Sequence, residues 1–62
     1  MTTATYELLS DIKAIITVTY AGGGVGVELV TITRGSIYDA AYAAASVKAT
    51  MQGQRLERFS RE

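Results

Sequence analysis

Sixty-two residues with six basic and six acidic side chains carry no net charge at neutral pH, and Cys, His, Pro and Trp are all absent. That composition leaves no ligand set for a zinc finger, no thiol for a disulfide or a redox step, and no imidazole base. It also lacks the positive excess that drives binding to phosphates.

A chain this short buries only about 60% of its unfolded surface. With disulfides and metal staples excluded, self-association is the remaining route to more burial, so a homodimer is among the expectations. No apolar run approaches the roughly 18 residues of a transmembrane helix. The opening Met1-Thr2-Thr3-Ala4-Thr5 lacks the basic and apolar regions of a secretory signal. A cytoplasmic, reducing setting and a single small domain over 1–62 are expected.

Residues 2–10 read two ways. Ala4, Tyr6 and Leu8 alternate with Thr5 and Glu7, which suits a short strand ending at a Ser10-Asp11 break. A frayed or helical start is the alternative.

Residues 12–20 and 25–33 are rich in β-branched and aromatic side chains, and both predict strands. Ala21-Gly22-Gly23-Gly24 between them predicts a hairpin turn, because glycine adopts positive φ freely. A two-residue Gly22-Gly23 loop pairs Tyr20 with Val25, Val18 with Val27, Ile16 with Leu29 and Ala14 with Thr31. Those residues then share an apolar face, and the opposite, mixed face carries Ile15, Val30 and Ile32 beside Thr17, Lys13 and Glu28.

Ser36 and Asp39 have capping-box spacing. They open an Ala-rich helix over 37–52, which Gly53 is suited to terminate. At about 100° per residue, Ile37, Ala40, Ala41, Ala44, Val47 and Met51 form the stripe expected to pack on the sheet. Residues 54–62 either form a closing strand, giving ββαβ, or prolong the helix. The strand is favoured, because a lone hairpin needs a further strand for stability. The predicted class is α+β, a hairpin packed by one helix.

The glycines at 22, 23, 24 and 26 lack the Gly-Lys-Ser/Thr ending of a phosphate loop, and a strand follows them where a dinucleotide fold needs a helix. They are read as a turn. Nucleophilic catalysis needs an activated nucleophile and a base. Without His or Cys this leaves a Ser or Thr beside Lys13 or Lys48, which no motif supports. Of the carboxylates Glu28 and Asp39 that could do acid–base work, Asp39 is accounted for by capping. The chain is therefore read as non-enzymatic, with no catalytic residue, cofactor or metal ligand.

Contact surfaces remain. Ile15, Val30 and Ile32 are expected on a sheet face without a helix over it, where exposed apolar side chains suit a partner. Tyr38 and Tyr42 lie one turn apart on the helix flank and have the amphipathic character found at interfaces. Arg55, Arg58 and Arg61, extended by Arg34, could contact phosphate or an acidic protein surface. The plainer reading of those arginines is a solvated face.

The stretch Gly35-Ser36-Ile37-Tyr38-Asp39-Ala40-Ala41-Tyr42-Ala43-Ala44-Ala45, set between Val25–Thr33 and Arg55–Phe59, resembles in layout the small phage-encoded inhibitors that include anti-CRISPR proteins. The resemblance is architectural and transfers no residue role. It implies a small inhibitor that blocks a larger host complex by docking on it. The expected function is thus a protein-binding module with a protein partner and no membrane partner. A nucleic-acid-binding accessory protein using the arginines, or a structural homo-oligomer, are the alternatives.

Overall fold

The computed structural model describes all 62 residues. Its elements are β1 (Thr2–Leu8), β2 (Lys13–Thr19), β3 (Val25–Thr31), α1 (Ile37–Met51) and β4 (Leu56–Arg61). The fold is α+β, with one helix on one face of a sheet ordered β3-β2-β1-β4. The closing strand expected after Gly53 is present, and residues 2–8 resolve as a strand. β1 is a central strand, antiparallel to β2 and parallel to β4. The parallel pairing follows from the helix, which carries the chain back across the sheet between β3 and β4.

The hairpin differs from expectation by one residue. The N–H of Gly23 donates to the Tyr20 carbonyl at 3.0 Å, and the N–H of Tyr20 donates to the Gly24 carbonyl at 2.8 Å. Gly23 has φ +107°. These bonds close a three-residue loop, Ala21-Gly22-Gly23, where a two-residue loop is predicted. A third glycine makes the longer loop available, and its αL-type position matches the twist of the strands. The pairs are therefore Thr19 with Val25, Val18 with Gly26, Ile16 with Glu28 and Ala14 with Val30.

Because side chains alternate faces, this shift turns the whole of β3 over. Val30 is buried in the core against the helix, and Val25, Val27 and Leu29 stand on the open face at 60%, 62% and 57% exposure. The assignment of Val30 to the open face, and of Val25, Val27 and Leu29 to the covered one, is corrected accordingly. The β2 residues Ala14, Ile16 and Val18 are buried, as expected.

Alanine sets the helix-to-sheet distance. Ala41, Ala45 and Ala49 are fully buried, and Ala41 and Ala45 pack in one cluster with Ala4, Ile16, Val18 and Val30. Their i, i+4 spacing is the stripe that meets the sheet, with Ile37, Ala40 and Ala44 half-buried beside it. Val47 and Met51 were expected in the stripe but are 57% and 77% exposed. A Cβ-sized contact lets the helix sit close to the strands, and the bulkier residues fall on its flank.

Both helix ends are capped by the predicted residues. The Ser36 hydroxyl accepts the Asp39 N–H at 3.3 Å. At the other end Gly53, with φ +70°, donates to Thr50, and Gln54 donates to Ala49. That pair of bonds is a Schellman motif.

Candidate functional site

The flank of α1 over β4 carries an aromatic cluster. Tyr6 from β1 and Phe59 from β4 stack with centroids 5.1 Å apart. Tyr38 meets both edge-on, at 5.7 and 5.4 Å. Tyr42 lies 5.4 Å from Phe59. Offset and edge-to-face pairs of this kind add roughly 0.5–1.5 kcal/mol each beyond their burial. The positions follow from periodicity. Tyr38 and Tyr42 are one helical turn apart, and Phe59 shares the covered face with Ala4, its strand partner.

Tyr38 and Tyr42 remain 46% exposed. With Leu56, Glu57, Arg58 and Phe59 they line an open depression of about 300 Å³ between α1 and β4. β4 is an edge strand. The Glu62 N–H donates to the Tyr6 carbonyl at 2.8 Å, which sets the phase of the parallel ladder. Ser60 and Glu62 turn their backbone groups toward β1, so Phe59 and Arg61 turn theirs toward the free edge. The floor of the groove thus offers aromatic surface, and its side offers unpaired N–H and C=O groups.

The arginines do not converge. Arg58 pairs with Thr3 and Arg61 with Tyr6, which puts them on opposite faces of the sheet. Arg55 precedes β4, and Arg34 follows β3 at the far edge of the sheet. Glu57 lies between Arg55 and Arg58, where a register shift at Thr2/Thr3 leaves it the extra residue of a bulge. No face carries a basic patch built from these residues.

Ile15 lies half-buried on the open face, level with exposed Leu29. Ile32 follows the end of β3, half-buried, with its N–H donating to the Ile12 carbonyl at 2.9 Å. Of the proposed sheet-face residues only Ile15 therefore belongs to the open face. The residues missed there are Val25, Val27 and Leu29. The signal for them was the run of three glycines, which admits a longer loop. Leu56 and Phe59 were missed as companions of Tyr38 and Tyr42, because only the fold brings β4 beside β1 and its Tyr6.

No group of three or more acidic side chains gathers to hold a metal ion. No helix is long and apolar enough to cross a membrane. Comparisons with protein-family models, with curated proteins and with solved structures each found no match to this chain.

Proposed function

We propose that this chain is a protein-binding module that takes an extended segment of a partner protein into the groove between α1 and the free edge of β4. The observation that carries the reading is the coincidence of two features along one line. Tyr38, Tyr42, Leu56 and Phe59 form an open, mostly aromatic apolar floor, and the β4 edge beside it has unpaired backbone groups. An added strand gains main-chain hydrogen bonds from the edge, and the aromatic floor selects an apolar side chain from it. Tyrosine suits this role because it supplies a large contact area at a small entropic cost.

The layout shared with small phage-encoded inhibitors supports a finer version of the same proposal. In it the module blocks a larger host complex by occupying a strand that the complex itself needs, with no chemical step. A cytoplasmic setting belongs to this proposal and rests on a chain that uses no cysteine.

Affinity purification from the native host, followed by mass spectrometry, tests the reading with two variants. Tyr42→Ala removes exposed aromatic floor. Arg61→Pro removes an outward N–H from an edge strand, a position where proline is tolerated. Each is expected to lower partner recovery by at least about tenfold, with an unchanged circular dichroism spectrum. A partner retained at the wild-type level by both folded variants refutes the groove as its site.

A further inference from the structure

The opposite edge of the molecule carries a different surface, and it does not depend on the reading of the β4 groove. β3 ends the sheet on that side. Tyr20 bonds to Gly24 and Ile32 bonds to Ile12 across the hairpin. Those two bonds fix the phase. Gly26, Glu28 and Val30 direct their backbone groups to β2, and Val25, Val27 and Leu29 direct theirs outward. The same three residues are the exposed apolar side chains of the open face. A flat apolar edge of this kind is a template for another strand.

The helix layer carries a matching feature on the same side. Lys48 reaches Glu28 of β3 at 3.5 Å, so the flank of α1 near Lys48 overlooks β3, as the Tyr38/Tyr42 flank overlooks β4. At helical spacing Ala40, Ala44 and Met51 line that β3-side flank, with Val47 above them toward the back of the helix. Val47 and Met51 are exposed. Apolar side chains in both layers therefore end at one edge.

We infer that this edge binds a second copy of the chain, with β3 antiparallel to the partner's β3 and Val27 on the two-fold axis. The self-complementarity of the strand singles out this occupant and this register. Val27 then faces the partner's Val27, and Val25 faces the partner's Leu29. These are the residues with outward backbone groups, so each pair exchanges both N–H···O bonds. On the helix-covered side Glu28 falls opposite the partner's Gly26, which has no side chain to oppose it.

Sliding two residues one way sets Glu28 against the partner's Glu28, a like-charge pair. Sliding two the other way carries Leu29 past Val25 to face the glycine loop. Shifts by one residue set outward groups against inward ones. The Val27-centred register alone keeps three apolar pairs and avoids the charge clash. It joins the two sheets into one and places both helices on the same side, with their Met51 flanks turned toward the axis. An interface with the same patch on both subunits is the usual arrangement of a two-fold dimer.

Sedimentation equilibrium of the full chain tests the association, and single cysteines test the register, since the native chain has none. The expected species is a dimer. Val27→Lys and Met51→Glu, both at exposed sites, are each expected to weaken it by at least about tenfold while circular dichroism stays unchanged. Val27→Cys should link to itself through a short bifunctional thiol reagent. Val25→Cys should not link to itself, but should link to Leu29→Cys when the two are mixed. A chain that stays monomeric at millimolar concentration overturns the inference, as does a dimer unaffected by both charge variants. Efficient self-linking of Val25→Cys overturns the register.

Discussion

The side-chain oxygen of Gln54 accepts the backbone N–H of Ala21 at 3.0 Å, tying the end of the helix to the loop between β2 and β3. The same oxygen accepts the hydroxyl of Thr2, a buried polar group at the start of β1. One acceptor thus fastens the loop, the first strand and the helix terminus at one end of the molecule. Removing it leaves Thr2 without its partner, and an unsatisfied buried donor costs about 1–3 kcal/mol. Gln54→Ala is expected to lose that amount in denaturant unfolding. Gln54→Glu keeps an oxygen in place and should lose clearly less, which separates the acceptor's role from that of side-chain bulk.

Gly26 lies beneath the ring of Tyr20. A Cβ at that position would come within 2.8 Å of the Tyr20 hydroxyl oxygen. The ring end can swing away, so Gly26→Ala should destabilise by only about 1 kcal/mol through lost ring packing. In a Tyr20→Ala background the same substitution should be neutral or stabilising, because alanine loses less entropy than glycine in a strand. A double-mutant cycle by thermal unfolding measures that coupling.

Ala45 has no accessible surface and belongs to the core between α1 and the sheet. Ala45→Leu must push the helix off the strands and is expected to cost about 1–3 kcal/mol or more. Ala43→Leu, on the exposed side of the same helix, should change stability by less than about 0.5 kcal/mol. Equal effects at the two sites would show that the helix does not sit at a distance set by alanine.

Ser36→Ala removes the acceptor for the Asp39 N–H and is expected to cost about 1 kcal/mol. Gly53→Ala forces a side chain into positive φ and should cost about 1–2 kcal/mol. The two sites cap opposite ends of α1, so the losses should add in the double variant. Lys48→Ala breaks only a partly exposed ion pair with Glu28. It should change stability by less than about 1 kcal/mol, and less still at high salt.

The features legible in the sequence were those set by local chemistry. Ser36, Asp39 and Gly53 marked the helix ends because capping depends on a few adjacent groups. Ala14, Ile16 and Val18 marked the buried side of β2 because alternation is local to one strand. The facing of β3 was not legible in the same way. Val27, Leu29, Val30 and Ile32 are apolar on both parities, so the pattern of the strand does not choose a side, and loop length made the choice. The stripe on α1 was misjudged at Val47 and Met51 because hydrophobicity ranks a large residue above alanine, whereas a close helix-to-sheet contact prefers the small one. Tyr38 and Tyr42 were recognised as surface-active, but Phe59 joins them only because β4 lies parallel beside β1.

The three-residue loop at Ala21–Gly23 has a consequence beyond the hairpin itself. Had the turn closed on Gly22 and Gly23 alone, with Ala21 paired to Gly24, every residue of β3 would be unchanged yet would exchange surroundings, Val30 meeting water and Leu29 the helix. The outer chemistry of the molecule therefore hangs on a count rather than on a composition.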